Sequence, residues 1–83
     1  MEVSFSSLIL SLSTSALFQL GILEDPETKQ SHRDLSMAEQ TIDLIDLLGK
    51  KTQGNLTSDE KQLIESVLYD LRMKFIEETR RKS

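Results

Sequence analysis

The hydrophobic residues of this chain recur with a helical period in three separate segments. The first segment is the uncharged stretch SFSSLILSLSTSALFQLGIL, residues 4–23. In the second and third segments, apolar residues return every three or four positions, which places them on one face of a helix. The pattern predicts an all-α chain with helices over about 4–21, 35–52 and 58–80, and a loop over 22–34.

Residues typical of helix ends bound these segments. Ser4 can cap the first helix, and Gly21 suits the left-handed position just beyond its end. The stretches SMAE (36–39) and TSDE (57–60) each fit a capping box, in which a hydroxyl and a carboxylate bond the backbone reciprocally. Only the short GNLT turn, residues 54–57, separates the last two helices. We therefore expect those two helices to form an antiparallel hairpin.

The composition limits the chain to one small domain, residues 1–83. Its 14 acidic residues outnumber its 10 basic ones, for a net charge of −4. This balance argues against a nucleic-acid surface, which needs a basic face. The chain has no cysteine, which excludes disulfides and thiolate metal sites and fits a reducing compartment. We expect a cytoplasmic protein.

Candidate catalytic and metal-binding residues are few. Glu39, Asp43 and Asp46 share one helix face, but helical carboxylate metal sites also use Glu-x-x-His pairs, which this chain lacks. The one histidine, His32, lies in the loop and is interpreted as a surface residue. The three acids are therefore interpreted as a solvated face. We expect no catalytic residue, no cofactor and no metal, because no acid, base and nucleophile converge.

The first helix has apolar residues on more than one side. Its broad main face carries Phe5, Leu8, Ile9, Leu12, Ala16, Leu20 and Leu23. Leu10 and Leu17 fall well off that face, and Phe18 lies almost opposite it. A ridge of small residues, Ser7, Ser11 and Ser15, would let another backbone approach closely. This helix therefore has more than one surface to bury.

The third helix also has two apolar stripes. Its main stripe consists of Leu63, Ile64, Val67, Leu68, Leu71 and Phe75. Tyr69, Met73 and Ile76 form a second stripe on the opposite side. A chain this short cannot bury both sides of two helices, so the pattern predicts self-association, most simply a two-fold homodimer that forms an intersubunit helical bundle. The predicted interface consists of Ser7, Leu10, Ser11, Ser15, Leu17, Phe18, Tyr69, Met73 and Ile76.

The leading hypothesis is a non-enzymatic, homo-oligomeric structural or interaction protein, with a second copy or another protein as its partner. One alternative is membrane attachment through residues 4–23. Six serines, one threonine and one glutamine interrupt this segment, and no Lys/Arg cluster flanks it. A secretion signal needs a positive leading region, whereas the charge before the apolar stretch is Glu2. Another alternative is a carrier that holds an apolar ligand between the first helix and the hairpin.

Four sequence pieces carry a family resemblance: LSLSTSALFQLG, DPET, AEQTIDLIDLLGKKTQGNLTSDE and ESVLYDLRMKFIE. In order and spacing they resemble the bacterial family catalogued as domain of unknown function 1844, from Phe5 to about Glu77. The resemblance implies a small bacterial helical protein, and it supplies no activity, cofactor or catalytic residue. The family often has glycine soon after DPET, where this chain has Lys29. That departure concerns the conformation of the loop.

Overall fold

The computed structural model describes residues 3–29 and 33–82. Within these residues the chain forms three helices and no strand: α1 (Phe5–Gln19), α2 (Leu35–Lys51) and α3 (Ser58–Lys82). The predicted fold class is confirmed: an antiparallel hairpin of α2 and α3, with the serine-rich α1 packed against it.

Side chains and one glycine define the two ends of α1. The Ser4 backbone N–H donates to the Ser7 hydroxyl and the Ser7 N–H donates to the Ser4 hydroxyl, both at 3.0 Å. This reciprocal pair makes Ser4 the N-cap, as predicted. The helix ends at Gln19, two residues before the predicted end. Gly21 then takes a left-handed φ of +82°, a conformation that suits glycine because it has no Cβ.

The cap of α2 differs from the predicted one. Asp34 has an extended backbone, and its carboxylate accepts a hydrogen bond of 3.1 Å from the Met37 N–H. Ser36 lies inside the first turn of α2 and is not the cap, so the capping box predicted over residues 36–39 is wrong. An aspartate at this position satisfies a free N–H and also places a negative charge at the positive end of the helix.

The capping box at the start of α3 is confirmed. The Thr57 N–H donates to the Glu60 carboxylate at 2.9 Å, and the Glu60 N–H donates to the Thr57 hydroxyl at 3.1 Å. At the other end, α3 continues to Lys82, two residues beyond the predicted end. In the turn that precedes α3, Gly54 has a φ of +87°.

The core is one small cluster to which all three helices contribute. Its buried residues are Ile9, Ala16, Leu20, Ala38, Ile42, Ile45, Ile64, Leu68 and Leu71. Partly buried side chains surround this cluster on every helix, including Phe5, Leu12, Val67 and Phe75. The main faces predicted for α1 and α3 therefore supply core residues, although Leu8 and Leu23, predicted on the main face of the first helix, are exposed.

Polar contacts join the helices at one end of the molecule. The Thr41 hydroxyl donates to the Gln19 side-chain oxygen at 2.7 Å, and the Asp34 N–H donates to the Gln19 carbonyl at 2.7 Å. Nearby, Arg33 contacts the buried Glu78 through its carboxylate at 3.3 Å and its carbonyl at 2.7 Å. The end of α1, the start of α2 and the end of α3 therefore meet at this end.

The molecule is flat. Its principal dimensions are 40 × 30 × 16 Å, and its radius of gyration is 13.5 Å. A compact chain of this length has a radius of gyration of about 12 Å. The flat shape leaves the outer sides of α1 and α3 uncovered.

Candidate interaction surfaces

The outer face of α1 is uncharged, because no residue from 3 to 23 carries a charge. Leu10 is 52% exposed, and Ser11 and Ser15 are also exposed. The hydroxyl of the exposed Thr14 donates to the Leu10 carbonyl at 3.0 Å, so it is satisfied within the helix. This face therefore offers small side chains and leucine.

Three of the predicted α1 residues are less available. Leu17 is partly buried and packs against the core, and Phe18 is also partly buried. The Ser7 hydroxyl donates to the Ser4 carbonyl at 2.9 Å as part of the helix cap. Leu10, Ser11 and Ser15 are therefore the predicted α1 residues that the monomer leaves open.

The second stripe of α3 lies on the surface. Tyr69 is 71% exposed, and Met73 and Ile76 are 43% and 44% exposed. Beside the stripe is a shallow groove of about 290 Å³, lined by Glu65, Leu68, Tyr69, Arg72 and Met73. We call the side chains of Tyr69, Met73 and Ile76 the α3 stripe. Charged residues border the stripe, and Ile76 also lines a small groove that includes the core residue Ile42.

Exposed apolar residues on α2 were missing from the predicted interface. Met37, Leu44 and Leu47 each have an exposed side chain. At the helical period, Met37 and Leu44 fall on the same broad side of α2 as the buried Ala38, Ile42 and Ile45, and they lie at its exposed margin. The apolar face of α2 is broader than the strip that one neighbouring helix can cover. This breadth is the feature of the sequence that indicates exposed apolar residues on α2.

An ion-pair cluster on the hairpin surface fixes one carboxylate as an anion. Asp46 contacts the Lys50 ammonium at 3.1 Å and the Arg72 guanidinium at 3.6 Å. The hydrogen bond from Lys50 holds the pKa of Asp46 below its usual value, and the charges of Lys50 and Arg72 add to this effect. Loss of water contact acts in the opposite direction.

A wider groove of about 530 Å³ lies beside this cluster, near the hairpin turn. Its floor includes Leu56, Ile64 and Leu68, and Lys50 and Lys61 lie on its rim. This groove and the one beside the α3 stripe share Glu65 and Leu68. The two grooves therefore adjoin on the outer side of the hairpin.

The described residues contain no cluster of three histidine, cysteine or acidic side chains able to hold a metal ion. His32 lies outside the residues that the structure describes. None of the helices in the described part of the chain is both long enough and apolar enough to cross a membrane. The side chains of Ile9 and Ala16 in α1, and of Leu20 directly after it, are fully buried.

A family match relates this chain to known proteins. No curated protein matches the chain, and no solved structure does. One family model, described as a domain of unknown function (DUF1844), matches residues 2–77. The resemblance expected from Phe5 to about Glu77 is confirmed, and the chain belongs to the DUF1844 family.

Proposed function

We propose that this chain is a non-enzymatic, homo-oligomeric structural or interaction protein whose first partner is a second copy of itself. The observation that carries the proposal is its large surface. The monomer has 6019 Å² of accessible surface. A folded 9.5 kDa monomer is expected to have about 5,000 Å². The excess of roughly 1,000 Å² is comparable with the ~800 Å² that each partner buries in a standard interface.

The exposed apolar side chains support the proposal. Leu8 and Leu10 on α1 and the α3 stripe all leave hydrocarbon in contact with water. Burying one such side chain is worth about 1.5–3 kcal/mol. Association with a second copy would recover part of this free energy without any other partner.

The chemistry of the same surfaces supports a non-enzymatic role. The hydroxyls of Ser7 and Thr14 donate to carbonyls of their own helix. The Asp46 carboxylate is held by Lys50 and Arg72 as a charged pair. Each of these groups already has a hydrogen-bond or ion-pair partner close by. A hydroxyl that acts as a nucleophile would instead donate its proton to an adjacent base.

Two alternative functions, membrane attachment and the carriage of an apolar ligand, would give different results in the experiment described below. The uncharged outer face of α1 could lie in a membrane interface, because apolar helical faces partition there. An apolar ligand could alternatively be held against α1. The bacterial cytoplasm is the location that we propose, in keeping with the acidic composition of the chain.

The experiment is light scattering coupled to size exclusion, without detergent, over a dilution series. We expect a discrete particle with twice the mass of the 9.5 kDa chain that dissociates on dilution. A monomer at every concentration would contradict the proposal. Aggregation that detergent reverses would favour the membrane alternative, and a co-purifying lipid in native mass spectrometry would favour the carrier.

A further inference from the structure

The groove beside the α3 stripe has the form of a helix-packing hole. Glu65, Leu68, Tyr69 and Arg72 line it, at positions i, i+3, i+4 and i+7 of one helix. Four residues with this spacing form the hole that receives a side chain from a facing helix. All the residues that line the groove belong to α3, and none belongs to α1 or α2.

Tyr69 is the side chain that best fits such a hole. It is 71% exposed, which makes it the most exposed of the three residues of the α3 stripe. A tyrosine ring offers a large, rigid apolar surface with a polar tip, which is why tyrosine is enriched at protein interfaces. A second copy of the chain therefore carries both the hole and a side chain to fill it.

The charges around Tyr69 determine how two copies could be oriented. Glu65 lies one helical turn before Tyr69, and Arg72 lies one turn after it. In an antiparallel pair with its two-fold axis beside Tyr69, each Glu65 would face Arg72 of the other copy. A parallel pair would instead place Glu65 against Glu65 and Arg72 against Arg72, and like charges in contact are unfavourable.

Both charged groups are available for this contact. Glu65 is exposed and has no ion pair among the residues that the structure describes. Arg72 is about half exposed, at 51%, and its contact with Asp46 is 3.6 Å long. The guanidinium has five N–H donors, so it can bind a second carboxylate while it stays near Asp46.

We propose that two copies of this chain associate antiparallel through α3, with Tyr69 of each copy seated in the Glu65–Leu68–Tyr69–Arg72 hole of the other. Two symmetric Glu65–Arg72 ion pairs flank the two-fold axis. Met73 and Ile76 extend the contact along α3. This inference rests on the proposed self-association and names the surface that carries it.

The first test measures the dimer dissociation constant by sedimentation. Tyr69→Ala and Glu65→Arg are each expected to weaken the dimer by at least about tenfold, because one empties the hole and the other creates two like-charge contacts. Glu24→Arg makes the same charge change at an exposed loop position outside α3, and it should leave the dissociation constant unchanged. Circular dichroism confirms that each variant is folded.

The second test measures orientation and keeps Tyr69 intact. The chain has no cysteine, so each introduced thiol is the only one per chain. A mixture of Glu65→Cys and Arg72→Cys should form a mixed disulfide under mild oxidation. Each variant alone should not, because its two copies would lie about 10 Å apart along the helix, beyond disulfide reach. Disulfides in the single variants and none in the mixture would overturn the antiparallel arrangement.

The outcomes separate this inference from the proposed function. A monomeric wild-type chain would overturn both. A wild-type dimer that Tyr69→Ala and Glu65→Arg leave unchanged would overturn the inference alone. Leu10→Glu decides that case, because a dimer held by the outer face of α1 would dissociate in this variant and one held by α3 would not.

Discussion

Two helices, α1 and α3, each bury one side and expose apolar residues on the other, yet their outer sides differ. The outer face of α1 carries leucine, serine and threonine without any charge. The α3 stripe has Glu65 and Arg72 close beside it. Apolar exposure makes both surfaces able to associate. The charges on α3 additionally favour one orientation of the partner, because they pair in one arrangement and repel in the other.

The interactions that hold α1 in place also differ from those that hold the hairpin together. The α1 helix is held by packed side chains and by the hydrogen bonds of Gln19. The hairpin adds ion pairs, of Asp46 on its outer surface and of the buried Glu78 with Arg33 and Arg81. The pKa of Asp46 is lowered and α1 carries no charged side chain, so changes in pH should affect the hairpin more than α1.

The largest expected effect separates the two sides of α1. Ile9 is fully buried and its neighbour Leu10 is 52% exposed. Ile9→Ala is expected to lower the free energy of unfolding by about 3 kcal/mol, because it leaves a cavity in the core. Leu10→Ala is the control, with an expected loss below about 1 kcal/mol. Urea denaturation at one fixed protein concentration measures both, and equal losses would contradict the orientation of α1.

A smaller effect is expected in the connection between α1 and the hairpin. Lys29 has a φ of +57°, in the left-handed region that favours glycine. Lys29→Gly should raise the free energy of unfolding by up to about 1 kcal/mol, since relief of backbone strain exceeds the added entropy of the unfolded chain. Glu27→Gly, two residues earlier, is the control and should bring no gain. An unstable Lys29→Gly variant would show that the lysine side chain itself holds the loop.

The smallest effect concerns pH and the hairpin surface. The pKa of Asp46 is lower in the folded chain, so its contribution to stability is present above its unfolded pKa and is lost as the pH falls through its folded pKa. Asp46→Asn should therefore lower the urea midpoint at pH 7. The difference from the wild type should narrow as the pH falls below the unfolded pKa of Asp46, and it should close only below the lower folded pKa, where the carboxylate is protonated in both states.

The matched control for Asp46 is Asp43→Asn, which changes an exposed acid on the same helix. This variant is expected to keep the wild-type urea midpoint at pH 7 and at low pH. A gap between Asp46→Asn and the wild type that persists at low pH would mean that Asp46 acts through packing and not through its charge.

Local signals were enough to predict the elements of the fold. The caps at Ser4 and Thr57 follow from short-range hydrogen bonding, and a sequence pattern records such bonds directly. The cap of α2 was misplaced because Asp34 and Ser36 are both good capping residues two positions apart. The extended backbone of Asp34 makes it the cap. A pattern of residue types does not specify that backbone conformation.

The exposed surfaces were predictable only in part. The α3 stripe lies on the side of α3 opposite the face that packs in the core. The exposure of the stripe therefore did not depend on details of packing. Leu17 is different, because it lies about 80° around the helix from Ile9, at the margin of the buried side. The α1 helix contacts both α2 and α3, and two neighbours widen the buried side enough to include Leu17. The positions of those neighbours depend on tertiary packing.

The exposed ring of Tyr69 also has a spectroscopic consequence. The chain has one tyrosine and no tryptophan, so Tyr69 dominates its fluorescence and its absorption near 280 nm. That chromophore lies on the surface and is not one of the nine buried residues that form the core. Intrinsic fluorescence should therefore follow events at the surface of α3, while far-ultraviolet circular dichroism follows the helices. Two optical signals from the unlabelled chain can thus distinguish loss of a surface contact from loss of the fold.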